Sequence, residues 1–176
     1  ETQKETYDIL QKKYGENTNK NILKRLHKEI ENKGLIHVLR KGFNDVHGGN
    51  IKTLYFQPSS SLNVNYRTDK YLKNKFLLVR QLHYSPQNNN SIDIVIFING
   101  IPILTIELKN QLTGQTVDNS DKQYRFDRNP KGEPLLKFQT CICHFSVDND
   151  KVNMTTKLNG TDTSFLPFNK TLNNLE

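Results

Sequence analysis

With 176 residues the chain is long enough for one domain with a substantial core, but not comfortably for two. Hydrophobic residues make up 34% and charged ones 24%, the composition of a polar but globular domain, and no apolar run approaches the ~20 residues that span a bilayer. No signal-peptide pattern opens the chain, and the net charge of +7 favours a polyanionic partner, nucleic acid first among them.

The first third reads as helical. One short helix is predicted over Thr2 to Lys13, broken by Gly15 and Asn17 to Asn19. A second, capped by Thr18 or Asn19, runs to about Asn32 with Ile22, Leu26 and Ile30 at spacings of four. Lys20, Lys24, Arg25 and Lys28 line its other side, read as a solvated face ahead of a DNA-contact stripe, and Gly34 ends it. Leu35 to Leu39 is a further helical turn or the start of the next element. From Gly42 to Ser61 the pattern is that of a loop, with Gly48-Gly49 and Pro58-Ser-Ser-Ser61 as breakers and a short strand at Leu54-Tyr55-Phe56. Tyr66 to Asn74 is a loop or short helix, and Phe76 to Tyr84 a strand.

Ser91 to Asn110 is the centre of the chain: two β-branched runs flank Asn99-Gly100, a strong hairpin signal. Three charges stand in this apolar hairpin, Asp93, Glu107 and Lys109, and such charges are expensive unless paired, hydrated or bound to metal. Glu107 and Lys109 share a face by strand alternation. A strict two-residue turn pairs 93 with 106 and sends the two acids to opposite faces. A three-residue loop with Gly100 in a G1 bulge, or a kink in the Glu107 strand, reunites them. Two carboxylates on neighbouring strands offer hard oxygen ligands to Mg²⁺, with Lys109 beside it to orient an attacking water. Thirteen residues separate Asp93 from Glu107, giving the acid-x₁₃-Glu-x-Lys arrangement of PD-(D/E)xK nucleases.

Beyond the hairpin, a turn at Gln111 to Gln115 leads to a helix over about Thr116 to Asp127, ended by Pro130 and Gly132. Thr140 to Val147 and Val152 to Thr156 form a second hairpin around Asp148-Asn-Asp150. Cys141 and Cys143 sit two apart on its first strand, facing the same way, as structural thiols of a reducing cytosol. His144 in the same strand is a packed core residue, and the remaining histidines have no ligand spacing. The element order predicts an α/β sandwich with a mixed β-sheet flanked by helices.

Several linked segments then occur in a familiar order: Val79-Arg-Gln-Leu-His-Tyr-Ser-Pro86, Asn99-Gly-Ile-Pro-Ile103, Glu107-Leu-Lys-Asn-Gln-Leu-Thr-Gly-Gln115, Gln123-Tyr-Arg125, His144-Phe-Ser-Val147, Met154-Thr-Thr156 and Phe165-Leu-Pro-Phe-Asn169. Together they resemble the N-terminal endonuclease domain of the restriction (R) subunit of type I restriction–modification enzymes. The resemblance implies a restriction-endonuclease-like fold, with residues 1–50 a helical N-terminal part and 51–176 the nuclease core of a single domain. It also implies a Mg²⁺-dependent DNA endonuclease, in which Asp93 and Glu107 ligate the metal and Lys109 assists the water. The family's Gln-x-x-x-Tyr box is altered here: Gln123 is present as a site-shaping residue, but Asp127 stands four residues on and the tyrosine is adjacent at Tyr124. Glu29 or Glu31 could serve as an additional upstream acid. Partners implied are double-stranded DNA and the methyltransferase and specificity subunits of a cytoplasmic complex.

No Gly-x-x-x-x-Gly-Lys-Ser/Thr phosphate loop occurs, so the ATP-driven motor is expected elsewhere in a longer chain, of which this one, opening on Glu1, is read as a fragment. Lys122, Arg125 and Arg128 are the basic residues nearest the site and the candidates for DNA phosphates. Two alternatives compete. One is a catalytically idle nuclease-like module that docks DNA or partner subunits. The other is a single-strand or RNA binder stacking bases on Tyr55, Phe56, Tyr66 and Tyr71.

Overall fold

The computed structural model describes residues 2–58 and 64–169, with the backbone alone for 64–67, so Ser59 to Ser61 and the side chain of Tyr66 lie outside the described residues. The chain divides into two compact units, Glu1–Lys75 and Phe76–Glu176.

The first unit is mainly helical: α1 (Lys4–Tyr14), α2 (Thr18–Lys33), α3 (Leu35–Lys41), a small antiparallel hairpin of β1 (Phe43–Asp45) and β2 (Gly49–Ile51), and α4 (Val64–Leu72). Its core draws on Leu10, Ile30, Leu35, Val38, Leu39 and Phe43. Thr18 is the first helical residue of α2 rather than its cap, and its hydroxyl donates back to the Gly15 carbonyl at 2.6 Å. Lys20, Lys24 and Lys28 are exposed as expected, but Arg25 pairs with Asp45 through Nε at 2.7 Å. The hairpin occupies part of the stretch predicted as loop. Its entry requires Gly42, whose φ is +74° and where a Cβ would collide with the Ile51 carbonyl. The strand predicted at Leu54-Tyr55-Phe56 does not form. There the Asn74 side chain takes the hydrogen bonds a strand partner would take, accepting from the Tyr55 N–H (3.2 Å) and donating to the Tyr55 carbonyl (2.6 Å).

The second unit is built on a six-stranded mixed sheet in the order β3 (Phe76–His83), β4 (Ser91–Ile98), β5 (Ile101–Leu108), β6 (Cys143–Val147), β7 (Val152–Thr155), β8 (Leu166–Pro167). All neighbours are antiparallel except β5 and β6, whose parallel pairing needs the crossover that α5 (Val117–Phe126) supplies. α5 opens with the Thr116 N–H donating to Asn119 (2.8 Å) and the Val117 N–H donating to Asp148 at the β6–β7 turn (2.8 Å). Ile92, Val95, Tyr124, Leu135, Leu136, Cys141 and Leu158 form one buried hydrophobic cluster. Cys141 lies in a bend before β6 and is packed in that core, whereas Cys143 is half-buried, so the two free thiols do not share the surroundings predicted for them. The architecture is α/β with a helical N-terminal part, compatible with a restriction-endonuclease-like fold.

Candidate active site

The hairpin turn is the two-residue kind, with Asn99 and Gly100 both at positive φ (51° and 81°), so the three-residue loop with a bulge at Gly100 is not formed. The register shifts inside β5 instead. Ile98 pairs with Ile101 and Phe97 with Pro102, after which Ile96 pairs with Leu104 and Ile94 with Ile106. Ile103 is the extra residue, and its carbonyl accepts from the Ile142 N–H at 2.8 Å. The cause is Pro102, which has no N–H for the ladder and is tolerated in a sheet at a bulge. Continued one step, this register brings Asp93 opposite Glu107. The kink in the Glu107 strand is the device that reunites the acids.

Asp93 is held from both neighbouring strands. Its Oδ1 accepts from Gln81 Nε2 and its Oδ2 from the Leu108 N–H, each at 2.8 Å. Gln81, which lies across from it in β3, has a φ of +49°, a local distortion in an otherwise regular strand. Glu107 is fully buried, with Oε1 accepting from Arg128 Nε at 2.8 Å. Its Oε2 is buried with no donor, and the other close polar neighbour of this carboxyl is the Asp93 carboxylate, itself an acceptor. Burial pushes the Glu107 carboxyl up to about 7; the Arg128 charge and hydrogen bond oppose this, and the Asp93 carboxylate nearby adds to it. Ser146, the β6 residue paired with Glu107, and Gln123 on α5 also have a buried oxygen without a partner among the described residues. Asp121 Oδ1 and Glu133 Oε2 are bare in the same way, although buried polar atoms rarely stay unpaired. Lys109 follows the end of β5, continues the ladder through its N–H to the Val147 carbonyl (2.8 Å), and by alternation shares the Glu107 face.

One stripe of α5 and the residues after it organises this face. Ser120, Tyr124 and Arg128 recur at spacings of four and lie above β5. Ser120 Oγ donates to the Glu107 carbonyl (3.2 Å), and Tyr124 OH meets Thr105 Oγ1 (2.9 Å), which in turn meets His144 Nδ1 (2.7 Å). The trio is buried; desolvation raises the Tyr124 hydroxyl well above its ordinary range and lowers His144 to about 4. His144 is thus the neutral core residue expected, and Tyr124 a core residue as well.

Residues 1–163 match the family model of the type I restriction enzyme R protein N terminus. The chain belongs to this family. A search of curated proteins gives no match.

Within this R-protein domain the basic residues fall differently from their prediction as DNA contacts. Arg128 is buried: besides Glu107 it donates to the Ser91 carbonyl at 2.8 Å. Arg125 donates to the Thr163 carbonyl (3.1 Å) and lies over the Phe165 ring, which leaves Lys122 as the exposed one of the three. Glu29 is ion-paired with Lys33 within α2. The sequence signal for Arg128 was the four-residue recurrence with Ser120 and Tyr124; that its guanidinium returns to Glu107 is a tertiary fact. No helix among the described residues is long and apolar enough to cross a membrane.

Proposed function

We propose that this domain is the DNA endonuclease of a type I restriction enzyme, hydrolysing phosphodiesters with Mg²⁺ held by Asp93 and Glu107 in a PD-(D/E)xK site. The observation that carries the reading is the donorless Oε2 of buried Glu107 next to a second carboxylate, an arrangement that a proton or a cation relieves. The donor set suits Mg²⁺, which takes one or two carboxylates and keeps several waters. Among the described residues no three His, Cys, Asp or Glu side chains converge, as a structural zinc would need. Bound there, Mg²⁺ supplies Lewis-acid stabilisation of charge developing on the phosphate. The chain's own residues do the rest. Gln81 and the Leu108 N–H fix Asp93, and in this reading Lys109, two residues after Glu107, orients the attacking water and steadies negative charge. Gln123 offers an unpartnered amide oxygen from α5.

Membership of the family further supports double-stranded DNA and the methyltransferase and specificity subunits as partners, with ATP acting in motor domains elsewhere in the longer chain. The test is plasmid cleavage by the reconstituted complex carrying Asp93→Asn, Glu107→Gln or Lys109→Ala singly. Each is expected to abolish cutting while ATP hydrolysis continues. Cutting that survives all three would leave an idle module that docks DNA or its partner subunits.

A further inference from the structure

Arg128 lies beyond the last residue of α5 and is not part of the acid-acid-lysine set, yet it is buried and its two hydrogen bonds are specific. Nε donates to Glu107 Oε1 and a terminal nitrogen to the Ser91 carbonyl, both at 2.8 Å. Ser91 opens β4 two residues before Asp93, and Glu107 stands near the end of β5. The planar fork therefore ties together the two strands that bear the acids. It does so where the Asp93 side chain takes the Leu108 N–H in place of a backbone acceptor. An arginine serving only as counter-charge has no need of the second strand. This one takes a single oxygen of Glu107, leaving the other without any donor.

We propose that Arg128 is a positioning residue of the metal site: by gripping Glu107 Oε1 and the Ser91 carbonyl in one rigid fork, it fixes the spacing of the two acids and presents Oε2 alone to a divalent cation. The proposal rests on the metal-dependent nuclease reading above. Partners that hold a metal-binding carboxylate commonly change metal affinity by about 10- to 100-fold when removed. Lysine keeps the charge but not the fork, so it should not restore the spacing.

The experiment titrates the 176-residue chain with Mn²⁺, read by electron paramagnetic resonance, for wild type, Arg128→Lys, Arg128→Gln and Arg25→Gln. Arg25→Gln removes a different carboxylate partner and is the control for general destabilisation. Expected are affinities at least about tenfold weaker in both Arg128 variants and an unchanged affinity in the control. In parallel, the Arg128 Nε–H resonance of the wild type is followed by NMR during Mg²⁺ addition, which needs no variant to fold. It should shift yet stay protected from exchange at saturation. Unchanged Mn²⁺ affinity in the Arg128 variants overturns the proposal in favour of a purely structural ion pair. Tighter binding, or loss of the Nε–H signal on Mg²⁺ addition, overturns it in favour of a latch that the metal displaces. Absence of Mn²⁺ binding by the wild type removes the metal-site reading itself, an outcome distinct from all of these.

Discussion

Each unit of the chain buries one carboxylate against an arginine Nε at nearly the same distance, 2.7 Å for Asp45–Arg25 and 2.8 Å for Glu107–Arg128, and the two could hardly be more different in their surroundings. Asp45 is saturated. It accepts from the N–H groups of His47 (2.8 Å) and Gly48 (3.1 Å) and from the Tyr14 hydroxyl, as well as from Arg25. Burial alone would push its carboxyl above the ordinary value, but those donors outweigh it and hold the carboxyl below that value. Glu107 has one donor, one bare oxygen and an acid for a neighbour, and its carboxyl is pushed up to about 7. A carboxylate with every lone pair answered is there to hold a fold together. One left short of donors is poised to take something else.

The largest expected effect breaks the comparison on the side of function. Glu107→Gln should lower DNA cleavage by about 100-fold or more in the reconstituted complex, because the anionic oxygen is gone. Asp45→Asn should leave metal binding unchanged. On the side of stability the order reverses. Asp45→Asn turns an amide donor toward groups that are themselves donors and should cost about 1–3 kcal/mol in urea melts of the chain. Glu107→Gln keeps an acceptor for Arg128 and should cost less than Asp45→Asn at pH 8. Thr105→Val, which strips the shared partner from buried Tyr124 and His144, should cost about 1–3 kcal/mol and show how far the ground beneath Glu107 depends on that trio.

The subtlest effect is in the pH dependence, measured in EDTA. Glu107 has a folded value above its unfolded 4.5, so its contribution is fully present below pH 4.5 and is lost as pH rises toward and through about 7. Asp45 has a folded value below its unfolded 3.8, so its contribution is present above that pH and lost as pH falls further. His144, lowered to about 4, weakens the fold as pH drops from 6.5 toward 4, but alike in wild type, Glu107→Gln and Asp45→Asn, so it cancels from their differences. The stability gap between wild type and Glu107→Gln should therefore shrink with rising pH. The gap to Asp45→Asn should close only in acid. A wild-type advantage over Glu107→Gln that grew with pH would contradict the environment described for Glu107.

Much of this was legible in the sequence because it is local. Alternation along β4 and β5 exposed the parity conflict between Asp93 and Glu107, and the need for a bulge followed from it. Of the two devices that reading allowed, the bulge at Gly100 is absent and the irregularity in the Glu107 strand is present, where Pro102, unable to give a ladder hydrogen bond, was the visible clue. The helices α1, α2 and α5 fall close to their predicted bounds, as amphipathic periodicity and flanking glycines allow. The β1–β2 hairpin was hidden because three-residue strands carry no periodicity to read. Leu54 to Phe56 has the composition of a strand, but Asn74, nineteen residues from Tyr55, supplies its partners instead. Arg128 could not be assigned to Glu107 from spacing, since it lies 21 residues further along the chain with a crossover helix between.

The extra residue in β5 has a consequence for how this domain can tolerate change. Because side chains alternate sides, the path from the Asn99-Gly100 turn to Glu107 is governed by odd and even: removing Ile103 alone would send Thr105 and Glu107 through to the far surface of the sheet while leaving Asp93 where it is. Lineages descending from such a hairpin could lengthen or shorten that arm by two residues, or compensate on β4. A single-codon deletion there would part the two acids at one stroke.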